Sequence, residues 1–262
     1  MFNDHELILH THRHRFALGR RLYQFRAGGQ QYWLKAQIAE RHAETEAGFH
    51  NELGFYQWAS NRISHILPAR IETLGMLGQE RTTGDILILP HASSMFAVGV
   101  HELSFNIVVK RIKQLLDCLH DYEQSGCIHG DLKPDHCVIF NNRVCLIDFE
   151  QSDSAYMHPP PGITATPRYM APELFHGAQK SIGSDLYALG VMLYEWLNHT
   201  RLTAKSYREW AYLHCQTFDL QLVHEYSGLY PLLDGLLKKQ FSQRFISVSE
   251  AKCTFDQLKL TI

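Results

Sequence analysis

The rhythm of apolar and polar positions changes about a third of the way along the chain. Up to residue 90 the apolar residues fall in short runs broken by polar ones, the pattern of strands with one buried face. Leu22 to Arg26 and Gln31 to Gln37 flank Ala27-Gly28-Gly29-Gln30. A glycine-rich turn between two such runs predicts a hairpin. Ile71 to Leu77 and Asp85 to Leu89 read as two further strands. Pro90 ends the second, because proline has no N–H for a sheet ladder. One helix is predicted within this region, over 43–59, where Ala47, Glu52, Phe55 and Tyr56 are spaced around an amphipathic helix. Beyond Pro90 the period is helical, over roughly 102–125, 184–198, 206–216, 228–238 and 247–258. Strands followed by helices predict an α+β fold in two segregated halves, residues 1–90 and 91–262. A chain of 262 residues can bury the core of one such two-lobed unit.

Composition narrows the partners. A formal net charge of -2 gives no reason to expect nucleic acid or an anionic membrane. The longest apolar stretch, Leu186 to Leu197, is too short to span a bilayer and carries Glu195. The first residues lack the basic-then-apolar order of a signal peptide. Cysteines 118, 127, 137, 145, 215 and 253 show no CxxC pairing, which predicts reduced, mostly buried thiols in a cytoplasmic protein. These features, with no appended sensor or anchor in view, lead to the expectation of a soluble, stand-alone protein. Histidine is abundant, and His10, His12 and His14 alternate. Alternation would set three imidazoles on one strand face; with no cysteine or carboxylate cluster beside them, a solvated polar face is expected rather than a metal site.

The chemistry concentrates in His129-Gly130-Asp131-Leu132-Lys133-Pro134-Asp135-His136, followed after the apolar run Val144 to Ile147 by Asp148-Phe149-Glu150. Phosphoryl transfer needs a carboxylate to orient the attacking hydroxyl, a lysine to neutralise the moving group and a second carboxylate for a divalent ion. Asp131, Lys133 and Asp148 offer those charges in order. Together with three later segments, this stretch resembles the protein kinase superfamily over nearly the whole chain. Ala165-Thr166-Pro167-Arg168-Tyr169-Met170-Ala171-Pro172-Glu173 is similar to the end of the family's activation segment. Ser184-Asp185-Leu186-Tyr187 resembles the buried helix whose aspartate accepts hydrogen bonds from the catalytic loop. Gln243-Arg244-Phe245 looks like the family's late segment, whose arginine pairs with the glutamate that stands here at 173. In the first half, Tyr32-Trp33-Leu34-Lys35-Ala36 looks like the third-strand lysine motif.

The resemblance implies a bilobal kinase-like fold, with a β-rich lobe carrying one main helix and a larger helical lobe. It implies ATP and Mg2+ or Mn2+ as cofactors, and transfer to serine or threonine of a protein substrate. Asp131 and Lys133 would be catalytic, and Asp148 and His136 would bind metal. Lys35, partnered by Glu52 rather than its neighbours Glu44 and Glu46, would hold the nucleotide phosphates. Leu89, His91 and Ala92 would line the adenine site, with the amide of Ala92 as its contact because Pro90 has none. Thr166 would shape the substrate platform, while Asp185, Glu173 and Arg244 would be structural. The family type expected is atypical and bacterial.

Four departures from the pattern stand out. Gly130 replaces an arginine that captures an activation-loop phosphate, so the loop from Glu150 to Ala165 is expected to work without phosphorylation. His136 replaces a metal-binding asparagine, which points to manganese. Glu150 replaces a glycine, either stiffening the segment or adding a ligand. No glycine-rich loop precedes Lys35; Arg15, Arg20 and Arg21 either substitute for it by charge or are solvated surface arginines. Two further readings therefore stay open: a kinase for a small molecule or lipopolysaccharide sugar, and a pseudokinase that binds partners without turnover.

Overall fold

A computed structural model describes residues 7–154 and 165–259. The fold is α+β and bilobal. The first lobe is an antiparallel sheet in the order β1-β2-β3-β5-β4, formed by β1 (Ile8–Leu9), β2 (Arg20–Ala27), β3 (Gln30–Gln37), β4 (Arg70–Leu77) and β5 (Glu80–Pro90). β2 and β3 pair in continuous register from Arg20↔Gln37 to Ala27↔Gln30. Gly28 and Gly29, at φ of 57 and 78°, make the two-residue turn that the hairpin requires.

The alternation of β3 decides which side chains reach the cleft. Leu34 and Ala36 are fully buried in the sheet core, while Trp33 and Lys35 point to the opposite face. Helix α1 (Ala43–Ala59) follows, and its buried positions include Gly48, Glu52, Phe55, Tyr56 and Ala59. That stripe at intervals of three and four residues turns one helix face inward.

The second lobe is built on α2 (Phe105–Gln124) and α4 (Ile182–Leu197), with α3 (Pro172–Phe175), α5 (Tyr207–Tyr212), α6 (Tyr230–Leu236) and α7 (Val248–Gln257) around them. Every residue of α4 from Gly183 to Leu193 is buried, as befits a helix apolar nearly all round. α5 stops at Tyr212, and the chain continues to Thr217 as a wider π turn rather than as the regular helix expected. Small strands frame the stretch from 129 to 150: β6 (Ser93–Ser94), β8 (Cys137–Phe140) and β9 (Arg143–Leu146) form one sheet, and β7 (Cys127–Ile128) pairs with β10 (Asp153–Ser154).

Phe149 ties the lobes together. It is fully buried and stacks on Phe55 of α1 at 4.2 Å, with Tyr122 of α2 at 5.9 Å and His129 at 5.5 Å. Aromatic contacts at these separations are favourable beyond the area they bury. The residue that follows Asp148 is thus anchored to both halves. Four of the cysteines (118, 127, 137 and 145) are buried, and no helix among the described residues is long and apolar enough to cross a membrane.

Candidate active site

Strand β3, helix α1 and the two segments flanking β8 and β9 deliver Lys35, Glu52, Asp131, His136 and Asp148 to the wall of one cavity of about 810 Å³. Lys35 Nζ is the hub. It lies 2.6 Å from Glu52, 2.8 Å from Asp148 and 2.7 Å from Glu150. Glu52 is 1% exposed, and its charge partners are Lys35 and, at 4.0 Å, Arg20. Neither Glu44 nor Glu46 pairs with this lysine among the described contacts.

Asp131 is fixed on both oxygens. Lys133 donates to Oδ2 at 2.7 Å, while the amide and hydroxyl of Thr166 both donate to Oδ1 at 2.8 Å. The loop beneath is held by Asp185, which accepts from the amides of His129 at 2.7 Å and Gly130 at 3.0 Å. Arg244 clamps Glu173 with two parallel bonds of 2.7 and 2.9 Å and also donates to the carbonyl of Gly183 at 2.9 Å. A fork-to-fork pair with its remaining donors satisfied is the geometry in which buried charges offset their desolvation.

Residues 91–254 match the family model for the protein kinase domain. The chain belongs to the protein kinase family. Among its relatives is protein R436 of Acanthamoeba polyphaga mimivirus, assigned as a serine/threonine-protein kinase, 29% identical over 59% of this chain and 58% of that protein. The serine/threonine-protein kinase pkn3 of Myxococcus xanthus is 35% identical over 34% of this chain and 18% of its own. A third, ppk34 of Schizosaccharomyces pombe, is 36% identical over 32% of this chain and 25% of its length. The chain thus spans little over half of the first of these relatives and a quarter or less of the other two.

The electrostatics of the kinase cleft follow from burial and opposed charge. Burial alone would depress the Lys35 ammonium, but the carboxylates of Asp148, Glu150 and Glu52 outweigh it and hold the lysine charged well above its ordinary range. Burial opposes ionisation of Asp148, yet Lys35 and His136 keep its carboxyl well below the usual carboxylate range. For Glu52 burial wins, and its carboxyl is raised. Burial and then neighbouring His136 lower His129 to about 3, so it is a neutral imidazole that accepts from the Asp131 amide and donates to the Ile147 carbonyl.

His136 bears on whether these residues suit a divalent cation. Its Nδ1 lies 3.0 Å from the Asp131 carbonyl, which only accepts, so that nitrogen carries a proton. Its Nε2 faces Asp148 Oδ2 at 2.9 Å, a separation that a second ring proton shared with the carboxylate explains without a metal. With that proton removed, Nε2 and the Asp148 carboxylate form a donor pair that fits a divalent ion, the other ring N–H being held by a carbonyl in the usual way.

Several expectations need correction. His91 does not line the cavity: its amide donates to the Gln31 carbonyl at 2.8 Å, and its ring accepts from Trp33 Nε1 at 3.0 Å. Leu89 and Ala92 do line it. Among the three arginines, Arg21 turns away to a two-bond pair with Glu80, whereas Arg15 and Arg20 face the cleft. The histidines do not share a strand face, because β1 ends at Leu9 and residues 13–18 form a 3-10 helix; His10 instead packs edge-on against Trp33 at 4.8 Å. The activation loop falls mostly on 155–164, outside the described residues.

Gly130 has a steric cause. Its φ is +78°, and a Cβ there would run into the carbonyl oxygen of Gln151. Lys180 occupies the neighbouring space, bonded to Gln151 Oε1 at 2.9 Å. Sequence reasoning missed Trp33, Asn51 and the partners of Glu150. The side-chain amide of Asn51 donates to the carbonyls of Phe149, Glu150 and Ser152 at 3.3, 3.2 and 2.9 Å. A glycine inside α1, at 48, was the available hint that something packs tightly there.

Proposed function

We propose that this protein transfers the γ-phosphoryl group of ATP to serine or threonine hydroxyls of a protein substrate. The observation that carries the reading is the survival of all four charges, Lys35, Asp131, Lys133 and Asp148, along one cavity wall. Their locking partners are in place as well. The relatives' names as serine/threonine-protein kinases support the same acceptor class.

Asp131 orients the acceptor hydroxyl: Lys133 and Thr166 fix the plane of its carboxylate, and Oδ2 keeps a free lone pair beside Lys133 for the incoming proton. Lys133 offsets charge on the group in transit. Lys35 holds the nucleotide phosphates, with Glu52 preventing its retreat from the cleft. Apolar Leu89 and Ala92 take the base, and with Pro90 lacking an N–H and His91 committed to Gln31, Ala92 is the remaining hinge donor. Asp148 and His136 hold the divalent ion, which supplies positive charge to the polyphosphate when bound. Imidazole in that set favours Mn2+ over Mg2+. Rate enhancement comes from positioning and fixed charge, without covalent chemistry.

The test is labelled-ATP turnover on a lysate and on generic protein acceptors, with each metal in turn, for wild type, Asp131→Asn and Asp148→Ala. Both variants are expected to lose about a thousandfold or more, since each removes charge that acts in the transition state. Wild-type label appearing only in small molecules or glycolipid would move the acceptor class. A wild type no faster than Asp131→Asn, yet stabilised by ATP and Mn2+, would mark a binding module. Mg2+ alone matching Mn2+ would refute the metal assignment.

A further inference from the structure

Glu150, standing where the family places glycine, sits in surroundings fitted to it. Its Oε1 pairs with Arg20 Nη1 and lies 2.7 Å from Lys35 Nζ. Its Oε2 would be 3.2 Å from any Cβ at position 48, so glycine there makes room for the carboxylate in the middle of α1, where glycine is costly to a helix. Arg20 is held on every side. Its Nε donates to Gln37 Oε1 at 3.1 Å, its Nη2 to the Thr45 carbonyl at 2.9 Å, and its guanidinium lies over the Phe49 ring at 4.7 Å. One side chain thus joins β2, β3, α1 and the segment after Asp148.

Charge counting shows why this junction is needed. Oxygens of Glu52, Asp148 and Glu150 lie within 4.8 Å of one another, and Lys35 brings a single positive charge to all three. Like charges at that range repel strongly when shielded from water. Without a second cation Glu150 would be driven out towards solvent, carrying the backbone beside Asp148 with it. Arg20 supplies that cation, in a planar fork suited to carboxylate.

We propose that Arg20 is a positioning residue. By gripping Glu150 it holds the Asp148 segment against β3 and α1, so that Lys35 keeps Glu52 and Asp148 together in the resting protein. The inference rests on the phosphotransferase reading only for what is positioned; the grip itself is readable without turnover. Asn51 secures the main chain of the same segment, and Arg20 secures its one charged side chain.

The experiment compares the full chain with Arg20→Gln, Arg20→Lys, Glu150→Gln and the Arg20→Gln/Glu150→Gln double variant. Two readouts are taken: amide hydrogen exchange over 148–154 without nucleotide, and kcat and KM for ATP. Arg20→Gln and Glu150→Gln should each speed exchange more than threefold and lower kcat about tenfold, with KM for ATP changing less than threefold. Because both act through one contact, the double variant should match the worse single one, and Arg20→Lys should recover part of the loss. Exchange within threefold of wild type in Glu150→Gln, or a double variant equal to the product of the singles, would overturn the proposal. Should Arg20→Gln fail to fold, Arg20→Lys and Glu150→Gln still decide it. If wild type proves inactive, the exchange arm still tests the grip, and only the phosphotransferase reading falls.

Discussion

The Asp131 side and the Lys35 side of the cleft are held in different ways. Around Asp131 most of the fixing contacts are hydrogen bonds to or from the main chain, with Lys133 the charged partner on the carboxylate itself: Thr166 also on the carboxylate, Asp185 on two backbone N–H groups, His129 on the Ile147 carbonyl. Around Lys35 they are charges: three carboxylates and a guanidinium within a few ångströms. Hydrogen bonds from a folded backbone persist when a neighbouring side chain is changed. A cluster of opposed charges does not, because deleting one member leaves the others uncompensated. The Asp131 side therefore has fewer charges to leave uncompensated, and the Lys35 side is cooperative.

The sharpest way to probe that contrast is a buried ion pair in the second lobe, where charge rather than main-chain bonding does the holding. Glu173→Ala leaves the fully buried Arg244 guanidinium without its carboxylate, and about 3–5 kcal/mol of stability should be lost in urea unfolding. A loss under about 1 kcal/mol would show that the pair behaves as a surface contact and that the second lobe does not depend on it.

A smaller effect separates buried neutral histidines from charged networks. Burial lowers His214 to about 4, while its Nδ1 bonds the Tyr187 hydroxyl at 3.0 Å. The unfolded chain takes up this proton below about 6.5 and the folded chain does not, so the contribution is full above that pH and is lost as pH falls towards 4. Asp185, which burial raises to about 6, works in the opposite sense over much of the window and flattens the wild-type curve. His214→Phe should accordingly lose about 2 kcal/mol less than wild type between pH 7.5 and 5. Parallel stability curves for the two proteins would contradict the neutral assignment.

The smallest expected effect is none at all. If charges already on the chain assemble the Lys35 side, phosphatase treatment followed by its removal should leave turnover within twofold of untreated protein. A fall of more than fivefold would mean that a phosphate, and not Arg20 with Glu150, completes the cleft.

Much of this was readable from the residues, for reasons that are local. The β2–β3 hairpin follows from two adjacent glycines between strand-like runs, and α1 occupies 43–59 as its spacing predicts. Helical segments of the second lobe were located to within a few residues because their apolar period is long. The 3-10 helix at 13–18 was invisible, since it buries nothing and so has no apolar pattern. The Arg20–Glu150 contact was invisible for another reason: the partners are 130 residues apart, and no periodicity links them. Lys35 and Glu52 could be matched only through the family resemblance, whereas the competing hold of Glu150 on the same lysine belongs to this chain. His91 was misassigned because its neighbour's lack of an N–H said nothing about where its own amide pointed.

Gly130 leaves a mark on how this protein can change over generations. A glycine codon lies one base from an arginine codon, so placing a phosphate receiver there looks easy on paper. The carbonyl of Gln151 blocks any such side chain until that strand of backbone moves. An arginine placed at 130 alone should therefore be strained, and a second change near Gln151 would be needed to seat it.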